Sequence, residues 1–254
     1  DPDGGGFDSH QLVDVERTAH CFFEHVYFAR PDSIIDGSLV YATRRALGAA
    51  LWAESGVASD VVMPVPDSGR SFAAGYAAAA QEAGAELGFA EGLMKNRYVG
   101  RTFIMPSQDA RERAVRIKLN PIRSTVVDRR VTIIDDSIVR GTTSRELVSL
   151  LREAGAAEVH LRIGAPPIIA PCYMGIDMPT RAELIAADRS PAAIAEEIGA
   201  DSLAFLSIDA ITEVLETARG DLCLGCVTGK YPYAIPDEET DRPIRPAVAG
   251  SAAE

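Results

Sequence analysis

No uninterrupted apolar run in this chain reaches the roughly 18 residues that a membrane-spanning helix needs, which excludes that class of protein. No positively charged stretch followed by an apolar core opens the chain, so a secretion signal is not expected. Basic residues are in deficit: 25 Lys and Arg against 37 Asp and Glu leave a net charge of −12. That balance argues against a nucleic-acid partner, whose phosphates call for a basic face. Cysteine is scarce, at four in 254 residues. With no export signal, such a count points to a reducing, cytoplasmic setting and to metal or cluster binding rather than disulfides. Histidine is as rare, and His10, His20, His25 and His160 are expected to be structural or surface residues. No internal repeat is visible.

What is present reads as an α/β chain with enough length for one large or two small domains. The ends differ from the middle. Residues 1–9 are Gly/Asp-rich and residues 236–254 are proline-broken and polar, so a flexible lead-in over 1–20 and a disordered tail from 236 are expected. Between them, apolar strands alternate with helical patterns. A helix is expected over 36–54, capped by Asp36, with Leu39, Ala42, Ala46 and Leu47 on one face. Further helices are expected over 71–83, 110–119, 190–198 and 209–218, and strands over 61–65, 158–163 and 203–208. This alternation predicts a parallel, doubly wound sheet.

The most informative run is Val131 to Leu151, VTIIDDSIVRGTTSRELVSLL. Val131 to Ile134 read as a buried strand. It ends in two adjacent carboxylates, Asp135 and Asp136, at the place where open α/β sheets bind ligands. A turn rich in small hydroxyl residues follows, and Gly141, Thr142, Thr143 and Ser144 open an amphipathic helix carrying Leu147, Leu150 and Leu151. The free N–H groups and positive dipole end of such a helix suit a phosphate. Ser/Thr capping alone would explain Thr142 to Ser144, but not the paired acids and the glycine. Acids beside a phosphate cradle fit a phosphorylated sugar.

Two more segments could serve the same site. Val65-Pro66-Asp67-Ser68-Gly69 joins a strand to a helix, and its glycine permits amides to turn towards an anion; taken alone, the segment fits an ordinary βα loop slightly better. Lys95 to Ile104, KNRYVGRTFI, sets Lys95, Arg97 and Arg101 around Tyr98 and Gly100. Such cations repel unless solvated or paired with anions, so the segment is either a surface loop or a lid over a polyphosphate. Among the cysteines, Cys223 and Cys226 form a CxxC, which alone is open to redox, zinc or cluster chemistry. Four soft thiolates suit zinc and an iron–sulfur cluster about equally.

The run at 131–151 resembles the 5-phosphoribosyl-1-pyrophosphate (PRPP) signature of the phosphoribosyltransferases. Together with CFFEHVYFARPDS (Cys21 to Ser33), VPDSG, KNRYVGRTFI, KLNPIRSTV (Lys118 to Val126) and CVTGKYP (Cys226 to Pro232), it resembles the amidophosphoribosyltransferase family, which opens purine synthesis. The likeness runs from about residue 21 to residue 231. It implies a type I phosphoribosyltransferase fold over 21–235 with a C-terminal helical, cluster-binding segment. It also implies transfer of phosphoribosyl from PRPP to ammonia, giving 5-phosphoribosylamine and pyrophosphate.

By that resemblance Asp135 and Asp136 match the acids for the ribose hydroxyls and for Mg2+, and Ser68 matches a further magnesium position. Asp67, Ser68 and Gly69 match the pyrophosphate loop, while Ser137, Arg140, Gly141, Thr142, Thr143 and Ser144 match the 5-phosphate loop. Lys95, Tyr98 and Arg101 match a flexible loop that orders over PRPP, with Lys95, Arg101 and the two acids as the catalytic set. Cys21, Cys172, Cys223 and Cys226 match the ligands of a 4Fe–4S cluster in one branch of the family. Purine nucleotides such as AMP and GMP are implied as inhibitors, and a homo-oligomer, a tetramer in the family, as the assembly.

One departure is large. The full family enzyme begins with a glutaminase domain and its N-terminal cysteine, whereas the first cysteine here, Cys21, belongs to the CFFEH motif. A glutaminase domain in cis or in trans, or free ammonia, would have to supply the nucleophile. The competing expectations are a PRPP-sensing regulator and a purine-salvage phosphoribosyltransferase. The first would need a basic appendage, and the second would not carry KNRYVGRTFI with four cluster-type cysteines.

Overall fold

The computed structural model describes residues 9–11, 14, 18–96, 119–176, 178 and 180–235. The tail at 236–254, most of the expected lead-in, the lid residues Arg97, Tyr98, Gly100 and Arg101, and residues 110–118 of the basic helix expected over 110–119 lie outside the described residues.

A five-stranded sheet with every strand parallel forms the centre, in the order β10-β9-β8-β4-β5. Its strands are β4 (Val61–Pro64), β5 (Gly88–Phe89), β8 (Arg130–Asp135), β9 (Glu158–Ile163) and β10 (Ser202–Phe205). Three two-stranded pairs surround it: β1 (His20–Cys21) with β11 (Leu222–Cys223), β2 (Ile34–Ile35) with β3 (Ser38–Leu39), and β6 (Leu93–Lys95) with β7 (Leu119–Pro121). The helices are α1 (Val40–Ser55), α2 (Gly69–Glu82), α3 (Arg123–Val126), α4 (Thr142–Glu153), α5 (Pro191–Ile198), α6 (Ile208–Val214) and α7 (Gly225–Thr228), with a π-helical turn over Glu24–Phe28.

Successive side chains of a strand point to opposite faces, so a sheet covered on both sides splits its core in two. Here Val62 and Ile134 join Phe22, Leu47, Leu51, Phe72, Tyr76 and Leu224 on one face. Val61, Met63, Val131 and Ile133 join Leu147, Leu151, Ile194 and Leu203 on the other. Each of the larger buried side chains contributes about 1.5–3 kcal/mol relative to exposure. The one polar residue inside β8, Thr132, is fully buried and shares a 2.7 Å hydrogen bond with Ser59, which removes most of the cost of burying it. On one side α1 lies against α2 in backbone contact: a Cβ at Gly48 would meet the Phe72 carbonyl oxygen at 2.0 Å, and one at Gly75 the Arg45 oxygen at 1.9 Å.

Several expectations shift by residues. The helix read from Asp36 begins at Val40, because Ile34–Ile35 and Ser38–Leu39 pair as a hairpin through Asp36 (φ 49°) and Gly37 (φ 80°). An Asp-Gly pair between apolar residues is a hairpin signal, and here it outweighs the cap. The buried face of α1 is Val40, Thr43, Arg44, Leu47, Gly48 and Leu51, so Leu39, Ala42 and Ala46 are exposed and only Leu47 of the expected stripe is buried. The strand expected over 203–208 ends at Phe205, since Ser207 caps α6 from outside by accepting from the Ala210 N–H at 3.0 Å. Leu119 lies in a strand rather than a helix, and His20, within the expected lead-in, pairs with Leu222. Among the described residues no helix is long and apolar enough to cross a membrane.

Candidate functional site

β8 is flanked by β4 and β9, so its carboxyl end opens at the middle of the sheet edge. Asp135 is its last residue, and Asp136 follows, 5% exposed. The Asp136 amide donates to Asp135 Oδ1 at 2.9 Å, and the Ser137 hydroxyl donates to Asp136 Oδ1 at 2.6 Å. Burial holds the Asp135 carboxyl well above its ordinary 3.8, and the neighbouring Asp136 pushes it further. Burial also raises Asp136, while hydrogen bonds from Ser137 and Ser68 and the charge of Arg44 pull it back. Two adjacent carboxylates, one half-buried and one buried, call for a cation or for hydroxyl donors.

The loop after β4 comes to the same place. Val65 donates its amide to the Ile134 oxygen at 2.8 Å, which lays residues 65–69 along the end of β8. The Pro66–Asp67 peptide is cis. Ser68 precedes α2 without capping it, and its hydroxyl is turned instead to Asp136. A Cβ at Gly69 would stand 2.4 Å from the Ile134 oxygen and 3.7 Å from Asp135 Cα, so the start of α2 needs glycine to reach the acids. Replacing Gly69 by Ala is therefore expected to cost about 1–3 kcal/mol of stability. It should also raise the KM of the ligand held at this loop by moving Ser68. Thermal unfolding and initial rates check both, and an unchanged KM would separate Ser68 from the site.

The turn from Ser137 to Gly141 forms the third side. Gly141 has φ 76° and precedes α4, and it accepts from the Arg145 amide at 2.9 Å. A left-handed residue at this point disfavours any side chain, and a Cβ there would also strike Ile185 Cδ1 at 2.4 Å. The turn is braced by a distant segment: the Ile185 amide donates to the Val139 oxygen at 2.9 Å, and Arg140 Nε to Glu183 Oε1 at 3.1 Å. Thr142 and Thr143 begin α4, and Ser144 is buried. Arg140 is thus engaged with Glu183. Lys95 ends β6 and pairs with Asp67 across the loop.

Of the expected site residues, the fold gathers Asp67, Ser68, Gly69, Lys95, Asp135, Asp136 and the 137–144 turn. Tyr98 and Arg101 lie outside the described residues. Sequence reasoning passed over Arg44, a buried arginine on α1 whose charge reaches Asp136, and the brace at Glu183 and Ile185. Neither carries a local motif.

The cysteines gather at the larger core, of which Cys172 and Cys226 are members and against which Cys21 packs. Cys21 and Cys223 are register partners on the parallel strands β1 and β11. Cys226 lies in α7, and its oxygen accepts from the amides of Ile169 and Ala170 at 2.9 and 3.1 Å, which draws in Cys172. Burial lifts the Cys226 thiol to about 12, with further upward push from Cys21, Cys172 and Cys223. Burial likewise raises Cys21, against hydrogen bonds from the Phe23 and Glu24 backbone and with Cys223 and Cys172. All four thiols are free. Tyr231 closes the nest: its hydroxyl donates to the Pro171 oxygen at 2.7 Å and its ring meets Tyr173 edge-on at 4.9 Å. Among the described residues no group of three or more His, Cys, Asp or Glu is arranged to hold a metal ion.

No family model matches the chain. Its sequence is 54% identical over 233 residues to an amidophosphoribosyltransferase of Archaeoglobus fulgidus, covering 91% of this chain and 50% of that protein. It is 55% identical over 217 residues to one of Methanocaldococcus jannaschii, covering 85% of this chain and 45% of that protein. Among solved structures, the Bacillus subtilis glutamine PRPP amidotransferase complexed with ADP and GMP matches with a TM-score of 0.80 and 48% identity, over 92% of this chain and 51% of that one. A structure described as the allosteric regulatory enzyme of purine biosynthesis matches with a TM-score of 0.78 and 49% identity, over 91% of this chain and 49% of that one.

Proposed function

The chain belongs to the amidophosphoribosyltransferase family, of whose curated members it spans about half the length, and we propose that it performs the phosphoribosyl-transfer step of that reaction. Its fold is the type I phosphoribosyltransferase fold. In the proposed step the bond from ribose C1 to pyrophosphate breaks, a bond from C1 to ammonia forms, and a proton of the attacking nitrogen leaves. The observation that carries this reading is the adjacent pair of half-buried Asp135 and buried Asp136 at the end of β8, between the Ser68 loop and the turn that ends at Gly141.

The carboxylates of Asp135 and Asp136 accept from the ribose hydroxyls and fix the sugar. The N–H groups around Gly141 to Ser144 hold its 5-phosphate at the positive end of α4. Holding both ends of the sugar converts the attack of ammonia into a step between positioned groups. Lys95, now paired with Asp67, is placed to exchange that partner for the departing pyrophosphate. The acid pair also fits Mg2+, since buried Asp136 and half-buried Asp135 stand side by side and the charge of Asp136 raises Asp135; Asp135, Asp136 and Ser68 would hold it. When bound, the ion would offset the charge that develops on the leaving group.

The thiol nest fits a 4Fe–4S cluster. Each thiolate of a cluster binds a different iron, so the four need not converge on one point as ligands of a single ion do. Cys21, Cys172, Cys223 and Cys226 would hold it, and it would serve as a cross-link between the N-terminal and C-terminal segments. The other half of the family protein would deliver ammonia from glutamine. Purine nucleotides would compete at the 5-phosphate cradle, a reading supported by the ADP and GMP in the Bacillus subtilis relative.

The test compares acceptors. With PRPP and Mg2+, the chain is expected to release pyrophosphate with ammonia, and with glutamine only when a glutaminase half is joined or added. Turnover with a purine base and none with ammonia would replace this reading by salvage chemistry. PRPP binding without turnover on any acceptor would replace it by a sensor.

A further inference from the structure

A turn that binds phosphate through its own N–H groups does so well only when those groups are aligned beforehand, since ordering them at the moment of binding costs affinity. Between Asp136 and the head of α4 the chain is neither strand nor helix. Its own fixed points are few: Ile138 is buried in one core cluster, Val139 packs against the other, and the Gly141 oxygen accepts from Arg145 of α4. The rest of its hold comes from a segment 43 residues further along.

That segment grips the turn at three points. The Ile185 amide donates to the Val139 oxygen at 2.9 Å, and Arg140 Nε donates to Glu183 Oε1 at 3.1 Å. Ile185 Cδ1 fills the space beside Gly141, 2.4 Å from where a Cβ would stand. The gripping segment is itself fixed. Leu184 is buried in the core on one face of the sheet, and Ile185 and Ala186 in the core on the other. The Ile185 oxygen accepts from Arg189 Nη1 at 3.3 Å, and Arg189 Nε pairs with Glu197 Oε2 of α5 at 3.2 Å. Glu197 Oε1 in turn takes Arg145 Nη2 of α4 at 2.8 Å, so the chain of contacts returns to the helix that the turn opens.

Glu183 and Arg140 keep 46% and 37% of their side chains in water, and ion pairs so exposed add little to stability. What this pair fixes is direction. Arg140 is held by Nε, and among the described residues the other donors of its guanidinium are unengaged.

We propose that Glu183 and Ile185 are positioning residues, a clasp that pre-forms the phosphate turn. Ile185 sets the turn's backbone through Val139 and Gly141, and Glu183 aims the free donors of Arg140 at the bound phosphate. Neither residue touches the ligand.

The proposal rests on the reading of this turn as the 5-phosphate cradle, and its test separates the two. Ribose 5-phosphate and pyrophosphate with Mg2+ are titrated in turn into the full chain by calorimetry, the first probing the turn and the second the Ser68 loop. Glu183→Ala and Ile185→Val, which deletes the methyl beside Gly141, are each expected to weaken ribose 5-phosphate by about threefold to tenfold and to leave pyrophosphate within about twofold. Glu183→Gln keeps an acceptor for Arg140 Nε and should recover most of the loss.

A parent chain that does not bind ribose 5-phosphate would remove the cradle reading and the clasp with it. A parent that binds it, with affinity unchanged in Glu183→Ala and Ile185→Val, would overturn the clasp alone. Equal weakening of both ligands would show a general loosening of the fold and overturn it as well, as would a Gln variant no better than the Ala.

Discussion

Asp135→Asn is expected to yield a folded protein, more heat-stable than the parent without ligand, whose PRPP-dependent turnover falls by about 10²–10³. Asp136→Asn is expected to lose turnover similarly, at roughly unchanged stability. The amide keeps the shape of the carboxyl and removes its charge, about 2.7–4 kcal/mol of stabilisation realised when pyrophosphate departs. The stability gain follows from linkage. Burial and Asp136 raise the Asp135 carboxyl above its ordinary 3.8 in the folded protein, so the native state binds more protons than the unfolded chain above that value. Stability then falls as pH rises through the window above 3.8, until the folded carboxyl has ionised. Below 3.8 the parent is protonated and resembles the amide. The difference in Tm between variant and parent should therefore vanish in acid and grow with pH. The hydrogen bonds and the Arg44 charge that favour ionised Asp136 explain why that residue should gain less. Near-parent turnover in both variants would remove the acid pair from the chemistry. A Tm difference that does not vary with pH would remove the burial argument.

Iron is the second large effect. Anaerobically purified protein is expected to hold about four irons per chain with matching sulfide, and Cys226→Ser to lose them. A group bound only by the folded state at a thousand times its Kd adds about 4 kcal/mol, so loss of the cluster should lower Tm by about 10 °C. The physical basis is the nest itself. Burial raises the Cys21 thiol and, with the neighbouring cysteines, pushes Cys226 to about 12, so these two stay protonated until a cation compensates them. Binding therefore releases protons and is favoured by rising pH. The cross-link also joins β1 to β11 and α7, segments about 200 residues apart in the chain, so its loss should open that edge of the core rather than only dull activity. One zinc with no iron would overturn the cluster and leave the sugar site standing.

Local order was legible wherever one residue type forces one geometry. The run of β-branched residues at 131–134 made β8, the 158–163 strand was read at its true bounds, and Ser190 caps α5 by accepting from the Ala193 amide at 3.2 Å. The paired acids and the glycine at the head of α4 were visible for the same reason: they sit in one contiguous stretch. Where alanine dominated, the pattern failed. Ala42 and Ala46 give little contrast between faces, and the true face of α1 follows from the close approach of Gly48 to α2, a tertiary demand that no local period records.

Convergence of distant segments was decided by the fold. The sequence alone determined a glycine and hydroxyl-rich turn beside two acids, and four cysteines with no stated neighbours. Parallel pairing of β1 with β11 placed Cys21 opposite Cys223, and parallel pairing of β4 with β8 laid the Gly69 turn on the Ile134 carbonyl. Arg44 marks the same boundary. On a helix, arginine ordinarily reads as a solvated charge, and only packing buries this one and turns its guanidinium onto the His25 and Ala29 carbonyls. Propensity and spacing act over a few residues, whereas burial and the field of a charge depend on everything the chain brings around it.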